Sequence, residues 1–188
     1  MSLAHTILGL LQQQAMTGYD LKTSCFDQCI GHLWPADQAQ IYRTLEKLVE
    51  QGCITCTIEI QHDRPNRKVY TITESGKAEL VRWLGTHQPL AILREPLLVQ
   101  LHFADLLPNE MIIHLLEQQL AARNEKLAKC ENIDLPVLGD ESASREEVMQ
   151  RLVLELVISR EQTYIDWLKT AIKVISQQDP HASQYQIF

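Results

Sequence analysis

The sequence predicts a mainly α-helical fold with one small β-hairpin. Along most of the chain, apolar residues recur with the spacing of an amphipathic helix. Just after Gly52 the pattern changes to the alternation typical of a strand, in two short segments on either side of a polar turn. A proline-containing joint, Thr86 to Pro89, then leads back to helical spacing. We therefore expect two domains, residues 1–86 and residues 87–188.

Composition indicates a globular protein. The chain has 188 residues, of which 45% are hydrophobic, an ordinary proportion for a globular chain. The N-terminus has no basic stretch, and the glutamines at 12–14 interrupt the apolar run after it, so we expect no signal peptide. No segment reaches the ~18 apolar residues of a membrane span. We expect a cytoplasmic protein without membrane association, whose five cysteines stay reduced.

The negative charge is concentrated in the second half of the chain. The formal net charge is -7, which by itself argues against binding to nucleic acid. Residues 1–86, however, carry 8 basic and 9 acidic side chains, whereas residues 87–188 carry 9 and 15. A nearly neutral first domain can bind phosphate if its cations lie on one face.

Three helices are predicted before Gly52. The first has one broad apolar face and ends near Ala15. Thr17 and Asp20 form a capping-box pattern that begins a second helix, which runs to about Cys29. Asp37 can cap the third helix, and Gly52 stands where a left-handed residue would end it. The residues predicted to be buried are Leu3, Ile7, Leu8, Leu10 and Leu11 in the first helix, Leu21, Cys25 and Phe26 in the second, and Ile41, Leu45 and Leu48 in the third.

The next segments predict a wing. Residues 53–60 and 68–73 are the two strands, and the polar and basic link at 61–67 is their turn. Thr73 can cap a fourth helix from Glu74 to about Thr86, with Leu80, Val81, Trp83 and Leu84 on its buried side. Three helices followed by a hairpin and a fourth helix make a winged helix-turn-helix domain. The third helix has an outward face that fits a DNA groove, formed by Ala39, Gln40, Arg43, Glu46 and Lys47.

These segments also resemble a known family, the PadR-like transcriptional regulators. The resemblance covers residues 1–86 and is specific, because several motifs occur together at matching spacing: Ile7-Leu8-Gly9-Leu10-Leu11, Thr17-Gly18-Tyr19-Asp20-Leu21, Trp34-Pro35, Gln40-Ile41-Tyr42-Arg43-Thr44-Leu45, Gly52, and the string from Arg64 to Gly76. The tail resembles the longer-tailed branch of the family more loosely, through Leu97 to Phe103 and the long final helix. The resemblance implies a dimeric repressor that binds double-stranded DNA.

The candidate DNA-binding residues lie on the third helix, on the wing and at the start of the second helix. Arg43 is expected to contact a guanine or a phosphate. Gln40 also suits helix capping, Tyr42 can either pack or reach a phosphate, and Lys47 can be a solvated surface residue. Contacts of the second helix with the DNA backbone are implied by the resemblance. The full set is Tyr19, Lys22, Gln38, Gln40, Tyr42, Arg43, Lys47, Arg64, Asn66, Arg67 and Lys68.

The cysteines do not predict a metal site. Cys53 and Cys56 point to opposite faces of a strand, and the cysteine pairs lack the glycines usual in zinc sites. A redox switch at Cys25 and Cys29 is open, the alternative being that both are buried structural thiols. No nucleophile elbow, phosphate loop, HExxH or dinucleotide motif is present, so we expect neither an enzyme nor a cofactor.

The tail is predicted to contain three helices: from about Arg94 to Leu106, from Pro108 to Asn132, and from Ser144 to about Gln177. The last helix carries two apolar stripes. Two stripes need two partners, so we expect one to pack within the tail and the other against a second copy of the chain. The dimerisation candidates are Met149, Leu152, Leu156, Tyr164 and Trp167, and the second stripe is Leu154, Ile158, Ile165, Leu168, Ile172 and Ile175. A self-contained helical bundle is the alternative.

A dimer can place two recognition helices about one DNA turn apart, which suits a pseudo-palindromic operator. A small aromatic or apolar effector between head and tail could change this spacing and release the DNA. Candidate pocket residues are Trp34, Trp83, Phe103 and Trp167, although aromatic residues at helical spacing are more often core. The acidic total charge leaves one other function open, a winged-helix protein-interaction adaptor without DNA binding, against which the basic wing counts.

Overall fold

A computed structural model describes residues 2–31, 33–60, 66–91 and 94–178. The chain divides into two compact units, Met1–Ala91 and Ile92–Phe188, and each is described by itself. The first unit contains three long helical segments, a small sheet and a fourth helix, as the predicted winged helix requires. Among its described residues, the second unit contains helices and the loops that join them, without a strand.

The helices of the first unit begin where the capping residues predict. Helix α1 is Ser2–Gln13, α2 is Gly18–Asp20, α3 is Gln38–Glu50 and α4 is Glu74–Leu84. Beyond its first turn, α2 continues as a wider, π-type helix over Leu21–Cys29. Capping boxes start α2 at Thr17 and α3 at Asp37, and Thr73 caps α4. Gly52 has φ 70°, the left-handed conformation predicted for the end of α3.

The sheet has a strand that the sequence did not predict. Strands β2 (Ile54–Glu59) and β3 (Arg67–Ile72) form the expected antiparallel hairpin. In addition, Met16–Thr17 form strand β1, which pairs antiparallel with β3 and makes the sheet order β1-β3-β2. Two residues are too short to show an alternating pattern. Residues 61–65 of the wing turn, among them Arg64, lie outside the described residues.

The core of the first unit is continuous beneath the sheet and the four helices. The predicted core residues of α2 and α3 are all buried. The fully buried large side chains of this core are Ile7, Leu8, Leu21, Ile41, Leu45 and Ile54.

The sequence predicts more buried residues on α4 than the structure shows. Leu80 is buried, whereas Val81 and Leu84 are 69% and 66% exposed and Trp83 is half-buried. Val81 follows Leu80 by one residue and is therefore turned away from it around the helix. Leu84 is the last residue of this 11-residue helix. The ring of Trp83 stacks on that of His5 in α1, with centroids 4.5 Å apart.

The second unit packs two long antiparallel helices against a short one. Helix α5 is Pro96–His102, followed by a 3-10 turn at Ala104–Leu106; α6 is Asn109–Glu131 and α7 is Arg145–Ser176. Ser144 caps α7 through a capping box with Glu147. Apolar contacts concentrate in two clusters. One contains Leu97, Ala104, Ile112, Leu116 and Leu168, and the other contains Cys130, Leu154 and Val157.

A buried charged network that the sequence did not predict joins these helices. Glu161 of α7 is only 3% exposed. It accepts hydrogen bonds from Arg123 at 2.9 Å and from Lys126 at 2.5 Å, both on α6. Arg123 also donates to Glu95, at 2.7 Å, and lies 3.9 Å from the ring centre of Tyr164. A buried carboxylate needs such partners, because it has lost the hydration of water.

The two stripes of α7 differ in burial. In the inward stripe, Leu154, Ile165 and Leu168 are buried, and the remaining members pack against the two clusters. In the other stripe Tyr164 is half-buried, and the exposed side chains are Met149, Leu152, Leu156 and Trp167.

Substituting Gly76 tests the packing of α4 against the sheet. A Cβ at this position would lie 2.0 Å from the carbonyl oxygen of Cys53. Because that oxygen belongs to the backbone, Gly76→Ala should lower the free energy of unfolding by about 3 kcal/mol. The matched control is Gly9→Ala in α1, where the added Cβ meets nothing within 4 Å. Alanine should stabilise that helix by about 0.5–1 kcal/mol. Urea unfolding measures both, and equal midpoints for the two variants would contradict the packing described.

The charged network predicts how the stability of the second unit depends on pH. Burial acts to raise the pKa of Glu161, but hydrogen bonds from Lys126 and Arg123 outweigh it, leaving the pKa below its ordinary value of 4.5. The contribution of this carboxylate is therefore complete above pH 4.5 and is lost as the pH falls through the lowered pKa.

Glu161→Gln should destabilise α6 and α7 by about 2–4 kcal/mol at neutral pH, because it removes the buried counter-charge of Lys126 and leaves Arg123 with Glu95 alone. The difference from wild type should shrink below pH 4.5. Hydrogen exchange of the α6 and α7 amides measures both effects. Glu125→Gln is the control, since its pair with Lys129 is exposed. A pH-independent difference would show that ionisation of Glu161 is not responsible.

Candidate nucleic-acid interface

The outward face of α3 is exposed over its first three turns. Ala39, Arg43, Glu46 and Lys47 are all exposed, opposite the buried stripe of the same helix. The guanidinium of Arg43 donates from Nε to the carbonyl oxygen of Ala39 at 3.2 Å. This bond uses one of its five donors and leaves the terminal nitrogens for a ligand.

Gln40 is engaged in starting the helix. Its side-chain oxygen accepts a hydrogen bond from the backbone nitrogen of Asp37 at 3.1 Å, and Asp37 accepts from the Gln40 backbone at 2.7 Å. The structure thus shows the capping role that the sequence left open for Gln40, whose amide nitrogen can still face a ligand. Gln38, in the first turn, is exposed.

An open cleft of about 720 Å³ borders this face. Trp34, 41% exposed, forms one wall, and Gln40, Arg43 and Lys47 form part of the other. Two cationic side chains of α3 therefore stand beside an exposed indole.

Tyr42 packs against the start of α2. A Cβ placed on Gly18 would lie 2.7 Å from its ring, so the absence of a side chain at Gly18 allows the close approach. Tyr42 is half-buried. Packing of its ring is therefore observed, and contact of its hydroxyl with a phosphate stays a prediction.

The wing is tied to α2 by Asp20. The carboxylate oxygen Oδ2 accepts hydrogen bonds from the backbone nitrogen and hydroxyl of Thr17, at 3.2 and 2.7 Å, and from Arg67 Nη2 at 3.1 Å. Hydrogen bonds from Thr17, helped by Arg67, hold the pKa of Asp20 below its usual value. Thr17 also pairs with Val69 in the sheet. The base of the wing, β1 and the start of α2 therefore meet at one carboxylate.

The remaining candidate DNA-binding residues differ in their surroundings. Lys68 and Asn66 are exposed at the base of the wing. Tyr19 is 64% exposed at the first turn of α2, and Lys22 forms an ion pair with Asp27 on the same helix. The sequence predicted these cations but not the pairing of Arg67 with Asp20, which are distant in the chain, or of Lys22 with Asp27, which depends on how the helix winds.

The four aromatic residues proposed for an effector pocket belong to different units. Trp34 lines the cleft beside α3, while Trp83 stacks on His5. In the second unit, Phe103 makes an edge contact with His102, and Trp167 makes one with Tyr164, with ring centres 5.5 Å apart. A pocket shared by these four residues stays a prediction.

In the part of the chain that the structure describes, no three His, Cys, Asp or Glu side chains lie together in an arrangement that could hold a metal ion. Cys25 is buried, with its sulfur 3.8 Å from that of Met16. The side chain of Cys29 lies outside the described part of the chain. A redox switch at Cys25 and Cys29 therefore stays a prediction. Among the described residues, no helix is long and apolar enough to cross a membrane.

Two family models match most of the chain. Residues 7–82 match the transcriptional regulator PadR-like family, and residues 93–176 match the family described as virulence activator alpha C-term. The negative transcriptional regulator PadR of Bacillus subtilis is 33% identical over 179 residues, covering 93% of this chain and 98% of that protein.

Solved structures agree with these matches. The crystal structure of Bacillus subtilis PadR in complex with operator DNA has a TM-score of 0.78 at 34% identity, covering 93% of this chain and 99% of that one. The same protein in complex with p-coumaric acid has a TM-score of 0.74 at 31% identity, covering 94% and 100%. The similarity extends over both units, and the chain belongs to the PadR-like family of transcriptional regulators.

Proposed function

We propose that the protein is a sequence-specific transcriptional repressor that binds a pseudo-palindromic operator as a homodimer. The exposed outward face of α3 carries the proposal, because its cations stand beside a wing whose base is anchored to α2. A relative solved with operator DNA, matching 93% of this chain, supports it. The protein acts by binding rather than by catalysis, in the cytoplasm.

Recognition is assigned to α3 and positioning to the wing. Arg43 presents its terminal nitrogens to the major groove, where a guanidinium can bond guanine O6 and N7. Gln38 and Lys47 flank it on the exposed side of the helix. Lys68 and Arg67, together with the predicted Arg64, bind the phosphates on either side of the neighbouring groove.

Dimerisation is assigned to the second unit. The exposed stripe of α7 presents Met149, Leu152, Leu156 and Trp167 to solvent in the single chain, and Leu156 alone is 62% exposed. An apolar band of this kind marks an interaction surface. A second copy is the proposed partner, because a two-fold dimer supplies two recognition helices to two half-sites.

A small aromatic effector is proposed to release the operator. The relative solved with p-coumaric acid supports an aromatic acid as the ligand class. To regulate, such a ligand must bind the released arrangement more tightly than the DNA-bound one.

Removing the wing cations tests DNA binding. An operator is first selected from random-sequence DNA by the wild-type protein, and its affinity is measured by fluorescence anisotropy at several salt concentrations. The variant Arg64→Ala/Arg67→Ala/Lys68→Ala should bind at least tenfold more weakly. The slope of log K against log salt should fall by up to about five, because the dimer loses about six phosphate contacts and each contributes ~0.9.

The matched control removes three exposed cations from the second unit, Lys129→Ala/Lys169→Ala/Lys173→Ala. It changes the net charge equally and should leave the slope within about one of wild type. Equal losses of affinity in the two variants would mean that the wing cations act only through the net charge of the protein. Failure of the wild-type protein to select any sequence would refute the proposed function.

A charge in the exposed stripe of α7 tests dimerisation. Leu156→Arg should shift the protein from dimer to monomer in sedimentation analysis, because the interface would bury an unpaired guanidinium. Operator affinity should fall with it. The control is Gln162→Arg, at an exposed position of the same helix outside the stripe. An unchanged dimer in Leu156→Arg would place the interface elsewhere.

A further inference from the structure

Glu46 is an acidic residue in the middle of the surface that is proposed to face DNA. It follows Arg43 by three residues, shares the outward face of α3 with it, and is exposed. Residues three apart are neighbours on a helix surface, so an ion pair between the two would be expected. Arg43 is instead bonded to the carbonyl oxygen of Ala39. Within the described part of the chain, no side chain is paired with the Glu46 carboxylate.

Glu46 also has a neighbour in the sheet. Tyr70 of β3 is buried, and burial, followed by the neighbouring Cys56, Tyr42 and Glu46, raises its pKa to about 12. Glu46 is therefore near Tyr70 of β3, while its side chain is exposed on the outward face of α3. A helix inserted in the major groove would carry this carboxylate toward the bases.

An unpaired carboxylate at such a place opposes DNA binding unless the groove supplies a donor. Phosphates repel it, and an ionised carboxylate can only accept hydrogen bonds. Cytosine presents the N4 amino donor in the major groove, and glutamate accepts from it. Adenine also has a donor, N6, but places the acceptor N7 beside it, which repels a carboxylate. The chemistry therefore selects cytosine.

We infer that Glu46 is a specificity-determining residue, which accepts a hydrogen bond from N4 of a cytosine in each half-site of the operator. This inference rests on the proposed DNA-binding function. Glu46 discriminates between bases, and the cations of the wing and of α3 supply the general attraction to phosphate. The residue lowers the affinity for DNA that lacks the cytosine, because there its charge has no partner.

The test compares base preferences of variants on the operator selected by the wild-type protein. Each base pair of one half-site is replaced in turn, and binding is measured at fixed salt. Wild type should lose affinity about tenfold when the cytosine read by Glu46 is replaced. Glu46→Ala should reduce this preference to less than twofold at that base pair, leave the other positions unchanged, and bind unrelated DNA more tightly.

Glu46→Gln distinguishes base recognition from a purely structural role, because a structural role would not change which base is preferred. A glutamine amide can bond adenine at N6 and N7 together, so this variant should shift the preference at the same position from cytosine toward adenine. The control is Glu50→Ala, which removes an equal charge from the exposed end of the same helix. It should keep the wild-type base preferences.

The outcomes separate the inference from the proposed function. If wild type selects an operator and Glu46→Ala keeps every base preference, the inference is wrong while the DNA-binding function stands. The inference is equally wrong if Glu46→Ala and Glu50→Ala change all sites uniformly, since this is a general charge effect. If the wild-type protein shows no sequence preference, both the inference about Glu46 and the proposed sequence-specific function are wrong. Thermal unfolding of each variant confirms that the fold is intact.

Discussion

The proposed DNA-binding surface depends on the carboxylate of Asp20. One oxygen of this group accepts from the backbone and hydroxyl of Thr17, and so begins α2, while it also holds Arg67 at the first residue of β3. Thr17 is at the same time part of β1, paired with β3. The start of a helix, the edge of a sheet and the base of the wing are therefore set by contacts within a few ångströms of each other. Tyr42, packed on Gly18, brings α3 into the same junction. Such a junction can keep wing and recognition helix in one geometry without a large interface between them.

Charge is divided between the two units according to their proposed roles. The first unit is close to neutral, and its cations are used in two ways. Arg67 and Lys22 are paired with carboxylates, whereas Lys47 and Lys68 stand on exposed faces. Neutral overall charge limits nonspecific attraction to phosphate, which depends on the number of cations engaged. In the proposed complex, sequence selection comes from groups on the exposed face of α3, which include Glu46 as well as Arg43.

The second unit has an apolar interior that contains one buried ionic network, and it carries an exposed apolar stripe on α7. The buried Glu161 links α7 to α6 through hydrogen bonds from Arg123 and Lys126, and breaking such a buried pair is strongly destabilising. Tyr164 lies between this network and the exposed stripe, with its ring beside Arg123 and its edge against Trp167. Burial and the nearby Glu95 raise its pKa to about 12, so it stays neutral at the boundary between the charged interior and the proposed dimer surface.

Local signals in the sequence were sufficient to predict the helices, their caps, the hairpin and the family, because capping boxes, Gly52 and the alternating strands act over a few residues. They also predicted which face of α3 is exposed and that α7 carries two apolar stripes, since helical spacing alone decides both. Other features depend on residues distant in sequence and have no local signature: strand β1, the pairing of Arg67 with Asp20, the burial of Glu161, and the exposure of Val81 and Leu84. Periodicity shows that a residue lies on one face of a helix. Only the tertiary structure decides what, if anything, that face meets, because burial and ion pairing are properties of two surfaces brought together.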